Sequence, residues 1–230
     1  MPGAGRLSTI DAVVPARDER LTVADVVLAT AGCRYVRRVI VVDDGSSDDT
    51  GRRAREAGAT VIRLVSEGSK AHAMEAGVVA SDADAVLFVD ADLIGLTSAH
   101  LDDICRPFVE GRAVMSLGTF DYGVWNWLVL RFPPTTGERV VPRWVFDSVP
   151  PSKRDGYTIE VMLNEVIAEG RLPTTARVMD GVFHRTKRVK FGRWEGYKRT
   201  WRMFWQLVGV LRVVRLRTYW FYRRDLTIEG

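Results

Sequence analysis

The chain is poor in cysteine: of 230 residues only Cys33 and Cys105 are thiols, and neither sits in a CxxC pair or a Cys/His ladder. That scarcity excludes a disulfide-stapled scaffold and reads as two free thiols in a reducing compartment, so a cytoplasmic location is expected. Long apolar runs are also missing. No window supplies the roughly 20 uninterrupted apolar residues of a membrane span. The longest candidate, Trp201–Leu216, is broken by Arg202, Gln206, Arg212 and Arg215. The opening Met1–Leu7 lacks the apolar core of a secretory leader. Internal repeats, low-complexity segments and obvious linkers are absent. What remains is an ordinary globular composition, 47% hydrophobic and 27% charged, which excludes disorder and collagen-like repeats. Its length suits one substantial domain.

The net charge of +4 conceals an asymmetry. Residues 185–230 carry 13 Lys/Arg against 3 Asp/Glu, whereas residues 1–184 carry 20 against 26. An acidic body with a basic, aromatic tail selects partners through local fields more than through its average. At 100° per residue Glu195, Lys198, Arg199, Arg202 and Gln206 share one face of a tail helix, and Trp201, Phe204, Trp205, Val208 and Leu211 lie largely on the other. Such a helix packs on the domain or lies on an anionic lipid surface; nucleic-acid binding is the least favoured reading.

Through residue 93, β-branched runs alternate with amphipathic stretches. Ile10–Val14, Val36–Val42, Thr60–Val65 and Ala85–Val89 read as strands, and 20–31, 48–57 and 69–80 as helices. Ser47 is expected to cap the second helix and Gly58 to end it. This rhythm predicts an α/β fold with a mostly parallel, helix-covered sheet. Beyond it, a helix from Thr97 or Ser98 to Val109, a strand at Ala113–Phe120, an irregular stretch at 121–137, a helix over Tyr157–Glu169 and a strand at Ala176–Phe183 are expected. The simplest division is a catalytic body over 1–190, with halves 1–93 and 94–190, followed by a tail over 191–230.

Ligands of parallel sheets bind beyond the carboxyl ends of strands. Three polar clusters occupy such ends: Pro15–Glu19, Asp43–Ser46 and Asp90–Leu93. Asp90-Ala91-Asp92 places two carboxylates where a strand finishes, an oxygen-rich arrangement suited to Mg²⁺ or Mn²⁺ beside phosphates. A solvated acidic turn is the competing reading. Asp43-Asp44-Gly45-Ser46 offers a tight turn, hydroxyls and carboxylates for a base or ribose, or simply a well-capped strand-to-helix turn.

Taken together, Pro15-Ala-Arg-Asp-Glu19, Val41-Val-Asp-Asp-Gly-Ser-Ser-Asp-Asp-Thr50, Gly68-Ser-Lys-Ala-His72 and Val89-Asp-Ala-Asp-Leu93 resemble the family-2 glycosyltransferases of GT-A fold, in order and spacing. The later Gly137-Glu-Arg139, Gly156-Tyr-Thr-Ile-Glu160 and Val182-Phe-His184 resemble the subset that includes glucosyl-3-phosphoglycerate synthases and small polyprenyl-phosphate glycosyltransferases. The resemblance implies a Rossmann-type sandwich with a helical carboxyl-terminal appendage and a nucleotide-sugar donor of UDP or GDP type. Pro15, Arg17, Glu19, Asp43, Gly45, Ser46, Lys70, Asp90 and Ala91 would line the donor site. Asp90, Asp92 and His184 would hold the metal, with Asp92 its direct catalytic ligand. Glu160 would be the base toward an acceptor hydroxyl or would hold the acceptor. Gly137, Arg139 and Tyr157 would meet the acceptor, a lipid phosphate or a phosphorylated small molecule. The family usually has Asn where this chain has Asp18, and Gly-Lys where it has Ser69-Lys70. An anionic membrane surface and a second copy of the chain are retained as partners. The alternatives are a nucleotidyltransferase, disfavoured because Ala12–Glu19 contains no glycine, and a non-enzymatic basic adaptor on a degenerate domain.

Overall fold

The β-branched runs become the centre of an eight-stranded sheet, because Val, Ile and Ala on both faces of a strand are tolerated only where helices cover both sides. In the computed structural model, which describes residues 9–65, 69–121, 136–154, 158–185 and 216–229, β1 (Ile10–Ala16), β2 (Val36–Asp43), β3 (Thr60–Arg63) and β4 (Ala85–Phe88) alternate with α1 (Val23–Ala31), α2 (Thr50–Glu56) and α3 (Lys70–Ala80). A short β5 (Leu93–Ile94) precedes α4 (Ser98–Val109) and β6 (Met115–Phe120). Then follow β7 (Arg139–Pro142), α5 (Arg143–Asp147), α6 (Thr158–Gly170), β8 (Thr174–Met179), β9 (Phe183–His184), α7 (Leu216–Asp225) and β10 (Leu226–Glu229).

The main sheet runs β3-β2-β1-β4-β7-β6-β8-β10. Every neighbouring pair is parallel except those made by β7, which is antiparallel to β4 and to β6. Side chains alternate across it as strand geometry requires. Val13, Ile40 and Val42 join Met74, Phe146, Leu163 and Tyr222 on one face, while Ala12, Val14, Val39 and Val41 join Val26, Leu101 and Ile104 on the other. The result is three layers, with α1, α2 and α4 on one side and α3, α5, α6 and α7 on the other. Contact between α3 and β1 is close enough that a Cβ on Gly77 would clash with a Val13 methyl.

Two local expectations shift and two hold. Ser47 does not cap α2, which begins at Thr50; the Ser47 N–H and hydroxyl instead donate to the Asp18 carboxylate at 2.8 and 3.0 Å. Gly58 ends α2 as expected, following the cap at Ala57 with φ of 99°. The strand expected over 176–183 divides into β8 and β9, because Gly181 turns the chain with φ of 73° and β9 pairs with β5. Thr97 caps α4 as a capping box with His100. The tail's amphipathic stretch over 195–211, Tyr157, and most of the segment over 121–137 lie outside the described residues. The end of the tail joins the body: α7 packs on α6, and β10 pairs in parallel with β8.

Candidate functional site

The ends of β1, β2 and β4 meet, and their loops are tied together. Asp44 N–H extends the ladder to the Ala16 carbonyl at 2.9 Å. Asp18 is left-handed at φ 53°, a region Asp and Asn tolerate better than other side chains; its N–H donates to Ser46 Oγ at 3.1 Å. Glu19 N–H donates to Thr50 Oγ1 at 2.8 Å. Asp43, at the end of β2, is fully buried. It accepts from Ser46 N–H at 2.9 Å and pairs with Arg63 at 3.2 Å, and Gly45 makes the turn with φ of 68°. Pro15 and Arg17 border this loop, half-buried and exposed respectively. The Ala91 carbonyl accepts from Thr22 Oγ1 at 2.7 Å, fixing the Asp90–Asp92 turn to the start of α1.

Beyond β4, Asp90, Asp92 and His184 each offer a ligand atom within 4.8 Å of the others. His184 arrives through the β5–β9 pairing, where it stands opposite Leu93. Its Nδ1 lies 2.9 Å from Asp92 Oδ1, and its ring packs 4.6 Å from that of Phe120. Burial disfavours the charged imidazole, but the Asp92 hydrogen bond and the charges of Asp92, Asp90 and Glu138 prevail and raise the His184 pKa. Burial likewise opposes the Asp92 carboxylate, yet His184 and Lys70 hold it below the usual range. Arg185 closes this edge, with its N–H on the Asp92 carbonyl at 2.8 Å and its guanidinium 2.7 Å from Glu19.

Lys70 connects α3 to the far side of the site. Ser69 caps α3 and sets Lys70 at its first turn, where Nζ lies 2.6 Å from Asp90 and 3.0 Å from Glu160. Burial opposes that charge, and the two carboxylates overcome it, raising the Lys70 pKa. Glu160 stands in the first turn of α6, 2% exposed; its Oε2 has no hydrogen-bond partner among the described residues.

Of the residues expected at the acceptor, Gly137 lies against the Asp90 carboxylate, which a Cβ there would approach to 2.5 Å. Arg139 is a correction. It is fully enclosed, donating to the Glu160 carbonyl at 3.3 Å and to Asn164 Oδ1 at 3.0 Å. Its guanidinium therefore braces α6 against β7 and is not displayed to a ligand. Glu138 was not singled out from the sequence, where it is a lone acid between Gly137 and Arg139. It is fully buried, and burial together with the Asp90 charge pushes its pKa up to about 7. His72 is exposed and His100 serves the α4 cap, so neither joins the site.

A profile of "Glycosyl transferase family 2" matches residues 11–228, nearly the whole chain. The chain belongs to that family. Within it, the chain is 34% identical over 126 residues to a glucosyl-3-phosphoglycerate synthase of Mycolicibacterium paratuberculosis, covering 51% of this chain and 38% of the relative. It is 33% identical over 101 residues to a 4,4'-diaponeurosporenoate glycosyltransferase of Staphylococcus aureus, covering 42% and 27%. These matches span well under half the length of those curated relatives. The crystal structure of glucosyl-3-phosphoglycerate synthase from Mycobacterium tuberculosis with Mg²⁺ and uridine diphosphate superposes with a TM-score of 0.67 at 25% identity, covering 77% of this chain and 72% of that one. The same enzyme has been crystallised with Mn²⁺, UDP-glucose and phosphoglyceric acid, and that complex superposes with a TM-score of 0.65 at 26% identity, covering 77% and 72%. The GT-A-type sandwich expected from the motifs is thus the family's fold as well as the chain's.

Proposed function

We propose that this family-2 chain transfers a sugar from a nucleoside-diphosphate sugar, of UDP type in the first instance, to a phosphate-bearing acceptor. The observation that carries the reading is the convergence of Asp90, Asp92 and His184 beside the Lys70–Glu160 pair at one sheet edge. Two carboxylates and an imidazole form a donor set that fits Mn²⁺ or Mg²⁺. Asp90, Asp92 and His184 would hold the ion, which when bound supplies Lewis-acid charge for a departing diphosphate.

The chain's own residues supply the rest. The interlocked loops at Pro15–Glu19 and Asp43–Ser46 form a preorganised wall for the nucleoside, with Asp43 buried and already oriented by Ser46 and Arg63. Lys70 adds fixed positive charge at the donor side of the acids. Glu160 commits Oε1 to Lys70 and leaves Oε2 to accept a proton or hydrogen bond from an acceptor hydroxyl. Gly137 keeps the surface over Asp90 open to close approach. The UDP, UDP-glucose and phosphoglycerate bound by the M. tuberculosis enzyme support this choice of donor and acceptor class.

The deciding experiment is a donor panel of UDP- and GDP-sugars, scored by released nucleotide with phosphorylated acceptors. Turnover should require Mn²⁺ or Mg²⁺ and vanish in Asp92→Asn. Wild-type turnover undiminished by exhaustive chelation would overturn the reading.

A peripheral membrane setting, on the cytoplasmic face, is supported by the surface of α7. There an exposed Trp220 has the guanidinium groups of Arg223 and Arg224 5.4 and 5.7 Å from its ring centre. Among the described residues no helix is long and apolar enough to cross a membrane. In low salt the protein should float with anionic vesicles and lose that association as salt rises. Failure to float in low salt removes the membrane from the proposal without touching the transfer reaction.

A further inference from the structure

Glu138 is fully enclosed immediately before β7, and none of the roles described above uses its carboxylate. Thr136 donates its hydroxyl to Oε2. Oε1 is buried and has no hydrogen-bond partner among the described residues. An ionised carboxylate with one bare, enclosed oxygen is costly unless a positive charge faces it.

Its neighbours define where that charge belongs. Gly137 touches the Asp90 carboxylate, and Asp90, His184 and Lys70 all act electrostatically on Glu138. Arg139, the first residue of β7, points into α6. Glu138 follows Gly137 directly, beside the Asp90 carboxylate, and so stands next to the cation site. Asp90, Asp92, Glu138 and Glu160 gather acidic groups around the site, and the Lys70 ammonium pairs with Asp90 and Glu160. With His184 neutral, as a ligand must be, a divalent ion held there would bring the positive charge that Glu138 lacks.

We propose that Glu138 is a positioning residue of the cation site, a buried carboxylate that supports a divalent ion held by Asp90, Asp92 and His184 without reaching the reacting atoms. This rests on the divalent-cation reading above. It adds that the ion's affinity depends on a residue outside the Asp90–Asp92 turn and the histidine, carried immediately before the antiparallel strand at the middle of the sheet.

The test is Mn²⁺ titration of nucleotide-free protein, followed by the loss of the free-ion electron paramagnetic resonance signal, with wild type, Glu138→Gln and Thr136→Val. Glu138→Gln preserves shape and removes the charge. Residues of this supporting kind typically change metal affinity 10–100-fold, and a weakening of about that size is expected here, whereas Thr136→Val, which removes only the supporting hydroxyl, should stay within about threefold of wild type. In chelator, Glu138→Gln should melt no lower than wild type, since it relieves a buried charge. Unchanged Mn²⁺ affinity in Glu138→Gln would overturn the inference. Equal weakening in Thr136→Val, or failure of Glu138→Gln to fold in chelator, would do the same by assigning Glu138 a structural task. If wild type itself binds no Mn²⁺, the cation reading fails instead, which separates the two.

Discussion

Replacing Lys70 with methionine is the most direct probe of the site's electrostatics. The substitution keeps an unbranched chain in α3 and removes the cation shared by Asp90 and Glu160 at 2.6 and 3.0 Å. The Glu160 side chain is only 3% exposed and its other oxygen is already unpartnered. Stripping one member from a buried ion pair costs about 3–5 kcal/mol. Water reaches Lys70 and Asp90, which are 22% and 17% exposed, so the lower end, about 3 kcal/mol, is expected. At about 2–4 °C per kcal/mol for a chain of this size, the metal-free melting temperature should fall by about 6–12 °C. Lys70→Met combined with Glu160→Gln should regain much of that loss, because the buried charge is then gone. Urea denaturation of the wild type, both single variants and the double variant in chelator measures the coupling, expected to be about 1–3 kcal/mol. Added Mn²⁺ should stabilise Lys70→Met more than wild type, since a new cation meets the exposed charge deficit. Strict additivity of the two substitutions, or a loss below about 1 kcal/mol in Lys70→Met, would refute the shared-cation account.

Glu160→Gln should lower kcat by about 10²-fold or more toward a hydroxyl acceptor while leaving donor affinity nearly unchanged; near-wild-type kcat would remove its role as base. His184 has a raised pKa in the fold, so its stabilising contribution is complete below the unfolded value of about 6.5 and fades as pH rises through the higher folded value. Denaturation in chelator from mildly acidic to mildly alkaline pH should show that decline, and His184→Gln should lessen it, leaving the part due to Glu138, whose raised pKa lowers stability over the same window; an identical slope in the variant would assign the decline to other groups. Mn²⁺ competes with the same proton, so its affinity should rise across that window. Gly77→Ala should destabilise by about 1–3 kcal/mol, because its Cβ would meet a Val13 methyl on β1; a melting temperature equal to wild type would show that α3 can move away.

The parallel half of the sheet was legible because its signals are local. Val39–Val42 and Ala85–Phe88 are uniform apolar runs, and each ends in the acids that form the site. The expected metal trio likewise lies together. What escaped notice depends on partners distant in sequence. β7 is four residues long, contains an arginine and a proline, and shows no distinctive period. Only its position between β4 and β6 makes Arg139 a buried brace and Glu138 a buried acid. Ser47 has the chemistry of a helix cap, but Asp18, on another loop, takes both its donors. β10 carries Thr227 and Glu229 among its four residues, and its pairing with β8 is settled by where α7 delivers it.

That last pairing governs the order in which the fold can be completed. β8 is flanked by β6 on one side and waits for β10 on the other, although β10 is the final described segment of the chain. Until it arrives, the outer edge of β8 offers unpaired backbone groups, the kind of template that recruits strands from other molecules. Arg177 stands on β8, and in the finished fold its guanidinium meets Glu229 at 2.6 Å, while Arg112 reaches the same carboxylate from the turn after α4. The charge that latches the last strand is therefore also the charge that guards the open edge beforehand. In a nascent chain still lacking β10, Arg177 would place a charge at that edge, a protection that screening weakens as ionic strength rises.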